Sequence, residues 1–254
     1  MYFIFKLFLF FRDISGTEAI GKHLVISSTY QVASNATGIA GNLFAFLLFV
    51  SPVPKLRIII MDKSTGHLSG LQYIYSLLNC LICLWYGLPF VSPNVIMIAT
   101  VNSVGAIFQL IYITTFIIYA ENARKVKTTG LLVSVFGVFA IISLVSMKFD
   151  PFLRQTFVGY LSLASFVSLF ASSLSIIDLV IRMKSVELLS FYPSLSTFMM
   201  SASFFSYGML KQDGFIYIPN GIGAILGLTH LALYAYYSRE SREEEFGQSL
   251  IRSF

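Results

Sequence analysis

Charge is the property this chain has least of. Asp, Glu, Lys and Arg make up 11% of its 254 residues, against roughly 25% in soluble domains. Hydrophobic residues make up 56%, more apolar surface than a chain of this length can bury in a core of its own, so a lipid bilayer must cover part of it. Cysteine is nearly absent. Cys80 and Cys83 lie three apart in an apolar run, which excludes a disulfide framework and reads as small packing residues. With three histidines and no metal-ligand spacing, no metal and no cofactor is expected. No nucleophile, base and acid can be grouped, so an enzyme is not expected. No Gly-Lys-Ser/Thr phosphate loop is present, which leaves ATP drive unsupported. The net charge of +5 comes from basic residues between apolar runs, and no nucleic-acid partner is expected.

Seven apolar segments are present, near Ala33–Val53, Gln72–Phe90, Val95–Tyr119, Gly130–Met147, Thr156–Ile181, Phe191–Leu210 and Phe215–Tyr237. Each is long enough for a helix to cross about 30 Å of hydrocarbon. The runs are continuous rather than alternating, which favours helices over a barrel. Met1–Phe11 is apolar, too short to span, and lacks a preceding basic stretch, so a signal peptide is disfavoured and it reads as an interfacial extension or an imprecise start to the chain. Ser238–Phe254 is short and charged and is expected to be a disordered tail, with Ser241 and Ser249 exposed.

The loops after segments one, three and five, with the C-terminal tail, carry eleven Lys and Arg; the other side carries six. This asymmetry places the C-terminus in the cytosol and the N-terminus outside or in a lumen. The chain also repeats itself. Asn102-Ser103-Val104-Gly105-Ala106 recurs as Asn220-Gly221-Ile222-Gly223-Ala224. Tyr86-Gly87 recurs as Tyr207-Gly208, and Lys63-Ser64 as Lys184-Ser185, with 23 residues from Lys to Tyr in both halves. Segments 1–3 match segments 5–7, and the first loop is basic in both. Two three-helix units share an orientation only if an odd number of helices joins them; segment 4, which matches neither unit, is that helix. The expected fold is all-α: seven transmembrane helices as two parallel three-helix repeats joined by an inversion linker helix, three plus one plus three. The corresponding divisions are an extension at 1–32, a first repeat at 33–119, linker helix and loops at 120–155, a second repeat at 156–237 and a cytosolic tail at 238–254.

Gly41-Asn42-Leu43-Phe44, Ser51-Pro52, Lys63-Ser64-Thr65, Leu77-Leu78-Asn79-Cys80, Trp85-Tyr86-Gly87-Leu88-Pro89-Phe90, Asn102, Lys184-Ser185-Val186-Glu187 and Ile218-Pro219-Asn220-Gly221 occur together, in order. Over about Ala33–Arg239 the chain thereby resembles the plant SWEET sugar transporters, themselves an example of parallel membrane repeats. The runs Ser194–Phe204 and Leu233–Ser238 are most similar to the clade of the vacuolar membrane; the plasma membrane is the alternative. The resemblance implies a facilitative, bidirectional sugar uniporter working by alternating access on a mono- or disaccharide, and family members often assemble as homo- or hetero-oligomers. It also implies that Asn102 and Asn220 face each other across a central cavity and bind sugar hydroxyls. Amides, with two donors and two acceptor lone pairs, suit a neutral polyol; the plainer reading of each Asn is a cross-link between helices. Cys83 and Phe204 match pocket-wall positions, with ordinary packing as the alternative, and a bulky Phe narrows the site towards a glucose-like monosaccharide. Tyr86, Tyr207 and Asp213 match positions that close the non-cytosolic gate; an interfacial belt is the plainer reading of the tyrosines, and a solvated loop charge that of Asp213.

The chain departs from the family at the opposite gate. Of four family prolines only Pro52 is kept; Gln72, Ser173 and Ser190 stand at the other three positions, and Pro193 follows shortly after. Proline breaks helical hydrogen bonding and lets a helix bend, so the departures raise an alternative: a transport-impaired paralogue acting as a modulatory subunit of sugar-carrier oligomers. Asp178 lies four residues before Arg182 and reads as an interfacial ion pair. His230 reads as a packing residue rather than a pH sensor. A seven-helix receptor is disfavoured by the repeat, and a Pro-Gln-loop amino-acid carrier by Ser51-Pro52 and Ser172-Ser173.

Overall fold

A computed structural model describes residues 28–66, 69–183 and 190–252, with side chains to residue 239 apart from 167, 168 and 172. The Lys184–Glu187 half of the Lys-Ser repeat and the Met1–Phe11 extension lie outside the described residues. Every described element is helical: α1 (28–50), α2 (Val53–Asp62), α3 (Leu71–Tyr86), α4 (Ile96–Tyr119), α5 (Asn122–Ser146), α6 (Pro151–Met183), α7 (Phe191–Lys211) and α8 (Gly214–Arg252). α1 and α2 form one span interrupted at Ser51-Pro52. Five described spans are long and apolar enough to cross a membrane: α1–α2, α4, α5, α6 and α8. α3 is apolar but only 16 residues long, and α7 has 21 residues with five serines that dilute its apolarity.

Helix ends differ from the apolar segments because backbone hydrogen bonding, not the bilayer, decides where a helix stops. α1 starts at residue 28, five before Ala33. α5 starts at Asn122, so Arg124, Lys125 and Lys127 sit on its first turns rather than in a loop. α6 starts at Pro151, capped by Asp150, whose Oδ1 accepts the N–H groups of Phe152 and Leu153 at 3.1 Å each. Aspartate at the cap followed by proline is a helix-start signal. α8 continues to Arg252, which replaces the expected disordered tail; residues 239–245 are all Arg, Glu or Ser, and Arg and Glu favour helix.

The repeat extends to the packing. An offset of 121 residues relates α1–α3 to α6–α7 (Tyr86 to Tyr207), and one of 118 relates α4 to α8 (Asn102 to Asn220). A Cβ on Gly87 would lie 2.4 Å from the Ala99 nitrogen, and one on Gly208 would lie 2.6 Å from the nitrogen of Tyr217, the counterpart of Ala99. The Tyr-Gly pair thus recurs because the end of one helix rests on the backbone of the next. Asn94 and Gln212 are also counterparts, and both adopt left-handed backbone, φ 65° and 54°. α1 packs on α4 of its own unit, where Asn42 Nδ2 donates to the Met97 carbonyl at 3.2 Å. It also reaches the other unit, where Gly41 lies against the Phe204 ring of α7. α6 mirrors this: it packs on α8 and crosses to α3, where Asn79 Nδ2 donates to Ser165 Oγ at 2.7 Å.

α5 lies outside these two units against α3 and α4. Its end is fastened by Arg154, whose guanidinium donates to the carbonyls of Ser146 (3.2 Å), Phe149 (3.0 Å) and Phe90 (2.9 Å). These bonds tie the last residue of α5 to the loops that follow α5 and α3. Trp85 Nε1 adds a bond to Ser146 Oγ at 2.9 Å. The outer faces carry exposed Leu43, Leu47, Ile107, Ile118, Val133, Leu144 and Ile225, as a lipid-facing surface requires.

Candidate functional site

A cavity of about 400 Å³ runs along the axis between the two three-helix units. Asn102, Asn220, Cys83 and Phe204 all line it, as do Tyr86, Pro52, Gln72 and Ser173. Among the described lining residues there is no Asp, Glu, Lys or Arg. The two asparagines are held identically. Asn102 Nδ2 donates to the Ile98 carbonyl and Asn220 Nδ2 to the Ile216 carbonyl, each four residues back at 2.8 Å. Each amide uses one N–H to fix its rotamer, and its inventory leaves a second N–H and a carbonyl oxygen. Phe204 is buried, lies against Gly41 of α1 and meets the Tyr207 ring edge-on at 6.3 Å. Cys83 is a buried free thiol.

One end of the cavity is shut by a buried hydrogen-bond cluster. The Tyr86 hydroxyl lies 2.7 Å from Asp213 Oδ2 and 2.9 Å from Oδ1. Asp213 also caps α8, accepting the Phe215 N–H at 3.0 Å. Asp213 is 8% exposed, and burial pushes its pKa above the ordinary carboxylate value, against the lowering effect of the Tyr86 hydroxyl and the Phe215 N–H. The loop-charge reading of Asp213 is therefore replaced by a buried capping group hydrogen-bonded to Tyr86. Tyr207 donates instead to the main-chain carbonyl of Asn94 at 3.3 Å. The asymmetry is written in the repeat: the counterpart of Asp213 is Val95, so one tyrosine has a carboxylate partner and the other does not. Tyr207 and Asp213 seal the cavity from outside rather than lining it.

Two members of this cluster were not legible in the sequence. Gln155 Nε2 donates to Ser92 Oγ at 3.0 Å and lies 3.5 Å from the Tyr86 hydroxyl, and Ser92 Oγ is 3.5 Å from Asp213. The repeat counterpart of Gln155 is Ser34, so comparing the halves gives no match, and Ser92 lies in a short turn without a motif.

The opposite end carries Pro52, Gln72 and Ser173. Pro52 sits where α1 ends and α2 begins. Gln72 is the second residue of α3, and Ser190 is the N-cap of α7, outside the cavity lining. At both, the helix begins at that point, so a missing proline removes no mid-helix bend; proline is tolerated in a first turn anyway. Only Ser173 lies inside an uninterrupted helix, α6. There His230 Nε2 lies 3.5 Å from the Ser173 carbonyl. Asp178 and Arg182 form the expected exposed pair, Nε to Oδ2 at 2.9 Å.

Parallel triple-helix units around an uncharged cavity with a few polar groups in a largely apolar wall, closed at one end, define a multi-pass membrane carrier for a small neutral solute. The chain belongs to the SWEET family of sugar transporters: the family described as sugar efflux transporter for intercellular exchange matches residues 35–124 and 156–242. These segments fall on α1–α4 and α6–α8 and leave most of α5 between them. The chain is 57% identical over 232 residues to the bidirectional sugar transporter SWEET2a of Oryza sativa subsp. indica, covering 89% of this chain and 96% of that one. It is 55% identical over 229 residues to the bidirectional sugar transporter SWEET2 of Arabidopsis thaliana, covering 90% and 97%. A solved structure of a eukaryotic SWEET transporter superposes with a TM-score of 0.81 at 54% identity, covering 83% of this chain and 99% of that one. The family consists of transporters, not enzymes.

Proposed function

We propose that the chain is a facilitative, bidirectional uniporter for a glucose-like monosaccharide, working by alternating access. The observation that carries this reading is the pair of identically held amides in an uncharged axial cavity shut at the Asp213 end. Asn102 and Asn220 bind sugar hydroxyls, and Phe204 and Cys83 form the wall; the bulk of Phe204 supports one ring rather than two. Tyr86, Tyr207 and Asp213 form one gate, and Pro52, Gln72, Ser173 and Ser190 surround the other. The absence of a carboxylate among the described lining residues supports passive transport over ion coupling. The basic residues around the Pro52 end support a cytosolic placement of that end, and the likeness of Ser194–Phe204 and Leu233–Ser238 to the vacuolar clade supports the vacuolar membrane. The test is uptake of labelled glucose and sucrose, side by side, into a transporter-deficient cell. Saturable glucose uptake exceeding sucrose uptake, and insensitive to dissipation of ion gradients, is expected. Equal or greater sucrose uptake overturns the substrate preference, and uptake that collapses with the gradients overturns uniport.

Asp213 gives its gate a pH dependence of definite sign. Burial raises its pKa in the shut state, so a shut gate holds a proton more tightly than one in which the carboxyl is hydrated. Acidifying that side from above the raised pKa towards the ordinary value of 3.8 therefore favours closure, and flux is expected to fall. The ionisable groups facing the carboxylate are Tyr86 on α3, across a hydrogen bond, and Tyr207 on α7, within electrostatic reach; Lys211 at the end of α7 lines the adjacent vestibule. Asp213→Asn keeps an N-cap side chain and a Tyr86 acceptor but no longer titrates. Proteoliposome flux with pH set on each side is expected to show a flattened profile for this variant; an unchanged profile removes Asp213 as the titrating group.

A further inference from the structure

Gln109 lies on α4, seven residues and two helical turns beyond Asn102, about 10.5 Å along the axis and on the same face. It lines the cavity and is 8% exposed, and its Oε1 has no hydrogen-bond partner among the described residues. Buried acceptors are almost always paired, so an unpaired one facing a cavity is placed to receive a donor from a ligand.

Its surroundings suit a sugar. Gly105 of α4 is level with Cys80 of α3, and Tyr112 of α4 meets Tyr73 of α3 at 5.3 Å. Between these two rungs Gln109 is level with Ser76, which also lines the cavity. The Asn79–Ser165 bond brings α6 to this level. There Phe166 and Phe170 stack at 5.8 Å and 19° and line the same cavity. Aromatic faces are electron-rich and receive the C–H face of a pyranose. The repeat counterpart of Gln109 is Gly227, so this amide is not a by-product of the duplication.

We infer that Gln109 and Ser76, with the Phe166–Phe170 pair, form a second saccharide subsite, displaced from the Asn102–Asn220 pair towards the Pro52 end. A sugar hydroxyl donates to Gln109 Oε1. The displacement exceeds one pyranose ring, so the occupant is either a hexose that has left the asparagine pair or the second ring of a disaccharide still held by it. This inference rests on the sugar-carrier reading.

The test is equilibrium binding of labelled glucose and sucrose to the purified full chain, wild type against Gln109→Met and Asn102→Ala. Gln109→Met preserves bulk and removes the acceptor, and is expected to weaken binding about 3- to 10-fold. Loss for glucose identifies a hexose in transit; loss for sucrose alone identifies a second ring. One monodeoxy-glucose (or the corresponding deoxy-sucrose) that binds wild type less tightly than its parent is expected to bind Gln109→Met as tightly as the parent does, a loss of discrimination that a general packing defect does not produce. Should Gln109→Met fail to fold, Ser76→Ala carries the same comparison. Affinities within about twofold of wild type with all deoxy discriminations intact overturn the subsite. If Asn102→Ala loses binding under that outcome, the carrier reading stands; if wild type binds neither sugar, the carrier reading falls and the subsite with it.

Discussion

Replacing Asn102 or Asn220 by alanine is expected to bring sugar uptake close to background while the protein remains in the membrane at wild-type level. Each amide spends one N–H on the carbonyl four residues back and keeps a second N–H and a carbonyl oxygen. Losing two neutral hydrogen bonds costs about 2 kcal/mol, roughly thirtyfold in affinity. The two amides act on one ligand, so the double variant is expected to lose less than the product of the single losses. Uptake and membrane abundance, measured together, decide this. Normal uptake by both single variants rules the pair out as the sugar site.

The second large effect is structural. Gly87→Ala is expected to destabilise the protein by about 3 kcal/mol, at the upper end of ordinary overpacking costs. Its Cβ would lie 2.4 Å from the Ala99 nitrogen and 3.0 Å from two further main-chain atoms, so α3 and α4 must separate and no side chain can yield instead. Gly208→Ala is expected to behave similarly, 2.6 Å from the Tyr217 nitrogen. Gly130→Ala and Gly137→Ala, on α5, meet nothing within 4 Å and are expected to be neutral or to stabilise by up to about 1 kcal/mol, because alanine restricts the unfolded chain and favours helix. Thermal unfolding in detergent separates the two pairs. Equal melting temperatures for all four variants contradict the close approach at the Tyr-Gly repeat.

The repeat made the fold legible. Asn102 and Asn220, with Tyr86 and Tyr207, pointed to two parallel units, and the absence of a match for α5 pointed to the linker. The cavity lining at Asn102, Asn220, Cys83 and Phe204 was legible because each position has a counterpart or a family match. What stayed hidden has one physical origin: it lies where the halves differ. Gln155 opposes Ser34 and Gln109 opposes Gly227, and neither periodicity nor repetition marks such positions. The proline substitutions differ in their local consequence for a related reason. Composition alone does not say that Gln72 and Ser190 sit at helix starts, where a proline would make no bend. Helix ends were also beyond the hydropathy pattern, because Asp150-Pro151 and the Arg154 fastening act through backbone groups rather than apolar area.

In an alternating-access carrier the Asn102–Asn220 site is exposed to each side in turn. Counterflow tests it most directly: proteoliposomes containing the purified chain are loaded with unlabelled glucose and diluted into a trace of labelled glucose. An alternating-access uniporter accumulates label transiently above its equilibrium level, and Asn102→Ala does not. Label that rises only to equilibrium, or a wild-type trace that matches empty liposomes, contradicts alternating access at this site.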